Sequence, residues 1–94
     1  MSPYEIIKEP IITEHTLKLV EDTNSYTFRV EKKTNKVEIK KAIEAIYKVT
    51  VLKVRTINVY AKPKAMGRHS GFKNAYKKAI ITLKKGNKID KYAQ

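Results

Sequence analysis

A change of hydrophobic period limits what this 94-residue chain can fold into. In "SYTFRVE", residues 25–31, Tyr26, Phe28 and Val30 point one way and Ser25, Thr27 and Arg29 the other, the signature of a half-buried strand. In "KKTNKVEIKKAIEAIYK" the period becomes helical. Ile39, Ala42, Ile43 and Ile46 form one stripe flanked by Tyr47, with Thr34 as the N-cap. Val37 lies off that stripe, which suggests a contact on a second side. Then "VTVLKVRTINVYA" returns to strand character over about residues 50–61. Its apolar face switches near Arg55–Thr56, through a β-bulge or because both faces are covered. "AYKKAIITLKKG" is a last strand over about 75–84.

Upstream, Thr13 caps a short helix over about 14–21, with Glu14 in its first turn, and "DTN" turns the chain. Residues 4–8 are a short helical turn or a short edge strand, and Pro10 is expected to break regular structure there. The fold class is α+β: one domain over residues 1–94, a small and mainly antiparallel sheet of three to four strands with two helices. The order is (β)-α-β-α-β-β, with a crossover through the second helix and a final hairpin.

That hairpin carries the functional signal. "KPKAMGRHSGFKNAYKKA", residues 62–79, has no acid. The whole chain has 21 Lys plus Arg against 9 Asp plus Glu, a formal net charge of +12. Such an excess repels itself and asks for a polyanionic partner, nucleic acid or an anionic membrane surface. The loop of that hairpin, about residues 62–74, is long for a compact domain, and such loops are functional or disordered. Phe72 and Tyr76 offer rings for stacking, Pro63 limits slack, and the charge runs on into the strand at Lys77 and Lys78. The expected phosphate contacts are therefore Lys62, Lys64, Arg68, His69, Lys73, Lys77 and Lys78, with Arg55, Thr56 and Asn58 beside them. A second basic group, Lys32, Lys33, Lys36 and Lys40 with Lys41, is either a solvated helix face or a further phosphate patch. Lys33, Lys36 and Lys40 are spaced to share one helix side.

Other classes lack residues. His15 and His69 fit no metal spacing, and no nucleophile–base set or paired acids shape a catalytic centre, so no enzyme activity, cofactor or small-molecule substrate is expected. "GRHSG" lacks the Lys-Ser/Thr and helix of a phosphate-binding loop, and the aromatic strand motif of an RRM is missing. There is no cysteine and no apolar run long enough to span a bilayer, and "MSPYEIIKEP" lacks the layout of a secretory signal. The cytoplasm fits these facts.

Three stretches resemble one known family, large-subunit ribosomal protein twenty-three in its bacterial form. "EPIITEHT" resembles its N-terminal Pro-x-x-Ser/Thr-Glu-Lys motif, "NKVEIKKAIEAIYKVTVLKVRTINV" its helix and following strand, and "GRHSGFKNAYKKAIITLK" its loop end and last strand. The resemblance implies a structural, rRNA-binding role in the domain III region of the large-subunit rRNA. It implies a place at the rim of the exit tunnel, with the basic loop along the tunnel wall. It also implies a neighbouring large-subunit protein twenty-nine, and docking of the ribosome-bound folding chaperone and the signal recognition particle through Glu14 and Tyr47. His15 stands where that family commonly has Lys, and Lys48 where some relatives have an acid.

Overall fold

A computed structural model describes residues 2–59, 76–89 and 92. The order is α1 (Pro3–Ile6), β1 (Ile7–Pro10), α2 (Glu14–Thr23), β2 (Ser25–Val30), α3 (Lys36–Tyr47), β3 (Val51–Val59) and β4 (Tyr76–Leu83). The α+β class and the strand–helix alternation are as the periods implied. Residues 4–8 contain both alternatives, since a single helical turn ends at Ile6 and a strand starts at Ile7.

Pro10 does not break that strand. It pairs with Phe28, and β1 is an edge of the sheet, where a missing N–H costs no ladder bond on the outer side.

Among the described residues the sheet has four antiparallel strands in the order β1-β2-β4-β3. Because β4 lies between β2 and β3 and opposes both, those two strands run the same way, and α3 makes the crossover. Tyr26, Ile81 and Val54 form one cross-strand row, and Phe28, Ala79 and Thr56 the next. On this face lies the core, closed by Ile39, Ala42 and Ile43 of α3, with the Phe28 ring 5.8 Å from that of Tyr47. Ser25 through Phe28 are all buried, so this half of β2 is covered on both faces; α2 packs along it.

Both longer helices start with reciprocal caps. Thr13 Oγ1 accepts from Thr16 N–H at 3.1 Å, and Thr16 Oγ1 from Thr13 N–H at 2.8 Å. For α3 the cap is Asn35, not Thr34: Asn35 Oδ1 accepts from Glu38 N–H at 2.9 Å and Glu38 Oε1 from Asn35 N–H at 3.1 Å. The Thr34 hydroxyl instead donates to the Glu31 carbonyl at 2.6 Å and closes the preceding turn. Val37 is 59% exposed, so α3 makes no second-side contact there.

The bulge in β3 falls at Leu52, between the pairs Val51↔Leu83 and Lys53↔Thr82, not at Arg55–Thr56. The apolar switch at Arg55–Thr56 has another cause: Ile57 and Val59 lie on the face away from the core, Ile57 exposed and Val59 half-buried.

The chain end returns to the core. Tyr92 packs edge-on against Tyr26 and Phe28, at 5.1 and 5.5 Å between ring centroids. Its hydroxyl donates to the Ile11 carbonyl at 2.6 Å and accepts from Thr27 N–H at 3.1 Å, bridging the point where the N-terminal segment leaves β2.

Candidate nucleic-acid interface

Strand parity sorts the basic side chains. Away from the core, Arg29 lies beside Lys78, and Lys78 beside Ile57; Arg55 lies beside Ile80, and Lys53 beside Thr82. Arg29, Arg55 and Lys53 are exposed and Lys78 half-buried. Like charges directly opposite on a sheet are destabilising, so the Arg29–Lys78 neighbourhood is hard to explain as a device for stability. It is the arrangement an anionic ligand relieves.

The Arg29 guanidinium sits 5.3 Å over the Tyr76 ring, with Glu9 Oε1 at 3.5 Å on an exposed rim. Lys8 meets Glu31 at 3.3 Å. Between them opens a groove of about 450 Å³ bounded by Lys8, Arg29, Lys32 and Tyr76, with Glu9, Val30 and Glu31. It lies at the end of the sheet where β3 leaves at Val59 and β4 returns at its partner Tyr76, the root of the basic segment.

The residues singled out from the sequence separate into groups. Lys78 and Arg55 belong to this basic face. Thr56 and Asn58 belong to the opposite one, in the rows of Ala79 and Lys77. Lys77 Nζ donates to the Thr34 carbonyl and ties β4 to the turn before α3. Lys32 and Lys33 stand in that turn, ahead of the Asn35 cap, so Lys33 shares no helix side with Lys36 and Lys40. Lys36 and Lys40 are exposed on α3, one turn apart. Of all these, the groove brings Lys32 to the sheet end. Lys62, Lys64, Arg68, His69 and Lys73, with Met66 and Phe72, lie outside the described residues. Arg29 and Lys53 carry the site as much as the singled-out residues do. Their signal was the outward phase of their strands, readable only once β2, β4 and β3 are set in register.

Glu14 is the first residue of α2 and exposed, with no hydrogen bond or ion pair from its side chain among the described residues. Tyr47 ends α3, half-buried; burial, and then the nearby Tyr4 hydroxyl, push its phenol above the ordinary value of 10.0. No hydrogen bond or ring contact joins Glu14 to Tyr47 among the described residues. Within the same residues no three His, Cys, Asp or Glu gather to hold a metal, and no helix is long and apolar enough to cross a membrane.

Comparison with known proteins agrees with the sequence resemblance. The family described as ribosomal protein L23 matches residues 5–91. The large ribosomal subunit protein uL23 of Heliobacterium modesticaldum is 52% identical over 89 residues, covering 95% of this chain and 93% of its own. That of Aster yellows witches'-broom phytoplasma is 54% identical over 86 residues, covering 92% and 90%. That of Geobacter metallireducens is 44% identical over 90 residues, covering 96% of each.

Proposed function

Because this chain belongs to the ribosomal protein L23 family, we propose that it binds large-subunit rRNA through the open basic face of its sheet and the basic sequence of residues 62–74. Membership itself makes the chain a structural component of the large ribosomal subunit in the cytoplasm, and not an enzyme. What supports the RNA reading is the row that sets Arg29 against Lys78, extended by Arg55 and Lys53 and flanked by the Tyr76 ring. Phosphates on that face relieve the repulsion, and the half-buried Tyr76 ring, with Arg29 over it, adds an aromatic group beside them. Lys32 continues the face around the groove, Lys36 and Lys40 are a second patch, and Lys62, Lys64, Arg68, His69 and Lys73 join from sequence alone. Thr56, Asn58 and Lys77 contribute from the far side or through the fold. The proposed RNA is the domain III region, at the rim of the exit tunnel, beside large-subunit protein twenty-nine.

The test is titration of the purified chain with a domain III fragment at several salt concentrations. For ~6–10 phosphate contacts the affinity falls by about 10³–10⁵ between roughly 50 and 200 mM salt. A nearly salt-independent affinity overturns the proposal.

A second surface belongs with it. We propose that Glu14 receives the folding chaperone and the targeting particle, with Tyr47 in support, because Glu14 is exposed and its carboxylate has no structural use among the described residues.

A further inference from the structure

We propose that the free edge of β3 is a docking site for an extended acidic peptide segment, which adds a strand to the sheet. This goes beyond the RNA-binding reading and does not depend on it.

β3 is the last strand in the order β1-β2-β4-β3, so one of its edges has no neighbour in the sheet among the described residues. It is also long, Val51–Val59, where the other edge, β1, has four residues. A strand edge presents backbone N–H and C=O groups ready to pair, and an extended peptide that pairs with them gains affinity from the ladder and specificity from alternate side chains. Along β3 the alternate side chains on the open face are Lys53, Arg55, Ile57 and Val59. The first two are exposed cations, Ile57 is an exposed apolar residue and Val59 a half-buried one. Leu52, thrown outward by the bulge, is 63% exposed at the strand's start.

That pattern selects its occupant. A second copy brings a net charge of +12 against +12 and is repelled. Residues 45–89 contain no Asp or Glu, so within β3 and β4 no acidic side chain opposes an incoming carboxylate; the Glu44 carboxylate meets β3 only at its first N–H, that of Val51. The segment that fits has acids at two alternate positions, opposite Lys53 and Arg55, and apolar residues at the next two, opposite Ile57 and Val59.

The experiment uses the isotopically labelled full chain and a synthetic octapeptide with Glu at two alternate positions, Val at the next two and Thr between, made in both sequence directions. One direction is expected to shift the β3 amides and slow their exchange. Two further peptides are N-methylated at alternate backbone nitrogens, one in each phase. Strand addition uses only one edge of the peptide, so one phase loses binding and the other keeps it. Lys53→Glu with Arg55→Glu weakens binding about tenfold. If that variant does not fold, the N-methylated pair still decides. Equal binding of both N-methylated peptides means charge attraction alone and overturns the proposal. So does the absence of any β3 shift, or equal slowing of the β3 amides by a single-stranded oligonucleotide, which assigns the edge to RNA.

Discussion

The first 44 residues and the remaining fifty differ sharply in charge. The first part holds eight acids and eight bases; the second holds thirteen bases and one acid, Asp90. The fold does not keep them apart, since β4 of the second part is inserted between β2 of the first and β3. What separates them is use. Glu38 completes the α3 cap, Glu44 accepts from Val51 N–H at 3.0 Å, Glu31 and Glu9 hold Lys8 and Arg29, and Glu5 accepts from the Ser2 hydroxyl. Acids of the first part thus close turns and rims. The bases of β3 and β4, Lys77 excepted, stand exposed or half-covered with no acid facing them among the described residues. One part is neutral overall and five of its eight acids make structure; the other is positive and, with Arg29 and Lys32 of the first part, turns its charge toward a partner outside the chain.

That contrast breaks first at Lys78. Exchanging Arg29→Glu together with Lys78→Glu is expected to weaken binding to the rRNA fragment about a hundredfold. Lys78→Glu alone, which sets an acid opposite Arg29, should raise folding stability by ~0.2–1 kcal/mol while it weakens RNA binding. Urea denaturation beside the binding titration reads both. A protein that loses stability and keeps its RNA affinity would make this face a structural device and erase the contrast.

The acids supply the next test, with a smaller effect. Glu44→Ala leaves Val51 N–H without its acceptor where α3 turns into β3, and is expected to cost about 1–3 kcal/mol with no change in RNA affinity. Glu14→Ala should change stability by less than about 0.5 kcal/mol, because its carboxylate makes no hydrogen bond or ion pair among the described residues, while binding of the folding chaperone to reconstituted subunits drops. If Glu14→Ala destabilises as much as Glu44→Ala, its service is to the start of α2, and the docking proposal fails.

How far the sequence showed this division depended on which signal was local. The alternation of β2, the stripe of α3, the Thr13 cap and the β3–β4 hairpin are written in neighbouring residues, and each is found in the structure. Features set by distant residues were not legible. Thr34 and Asn35 are both good cap residues, and the competing bond to the Glu31 carbonyl decided between them. The bulge at Leu52 was hidden because the run of apolar residues placed the change of face near Arg55–Thr56. An exposed apolar residue carries no mark of its exposure. The basic face was half visible: Lys78 and Arg55 stood out by charge, while Arg29 and Lys53 needed the register. Lys77 looked like Lys78, one residue away, and parity alone sends it to the other side, toward Thr34.

Tyr47 lies just past the seam between the two parts and gives the smallest effect. Burial disfavours its phenolate, and a nearby Tyr4 phenolate adds repulsion, so its value in the fold is above 10.0. The unfolded chain ionises this phenol first. Its contribution to stability is therefore complete below pH ~10 and is lost as pH rises from there through the folded-state value. The informative quantity is the difference between the protein and Tyr47→Phe, measured by urea denaturation at successive pH values. Below pH ~10 the difference is expected to be constant. Above it the protein should lose stability faster than Tyr47→Phe, and Tyr4→Phe should remove only the lesser share of that loss, since repulsion is the second cause and burial the first. Parallel curves would mean that the ring is solvated in the fold, and so that its packing against Phe28 does not shield the hydroxyl.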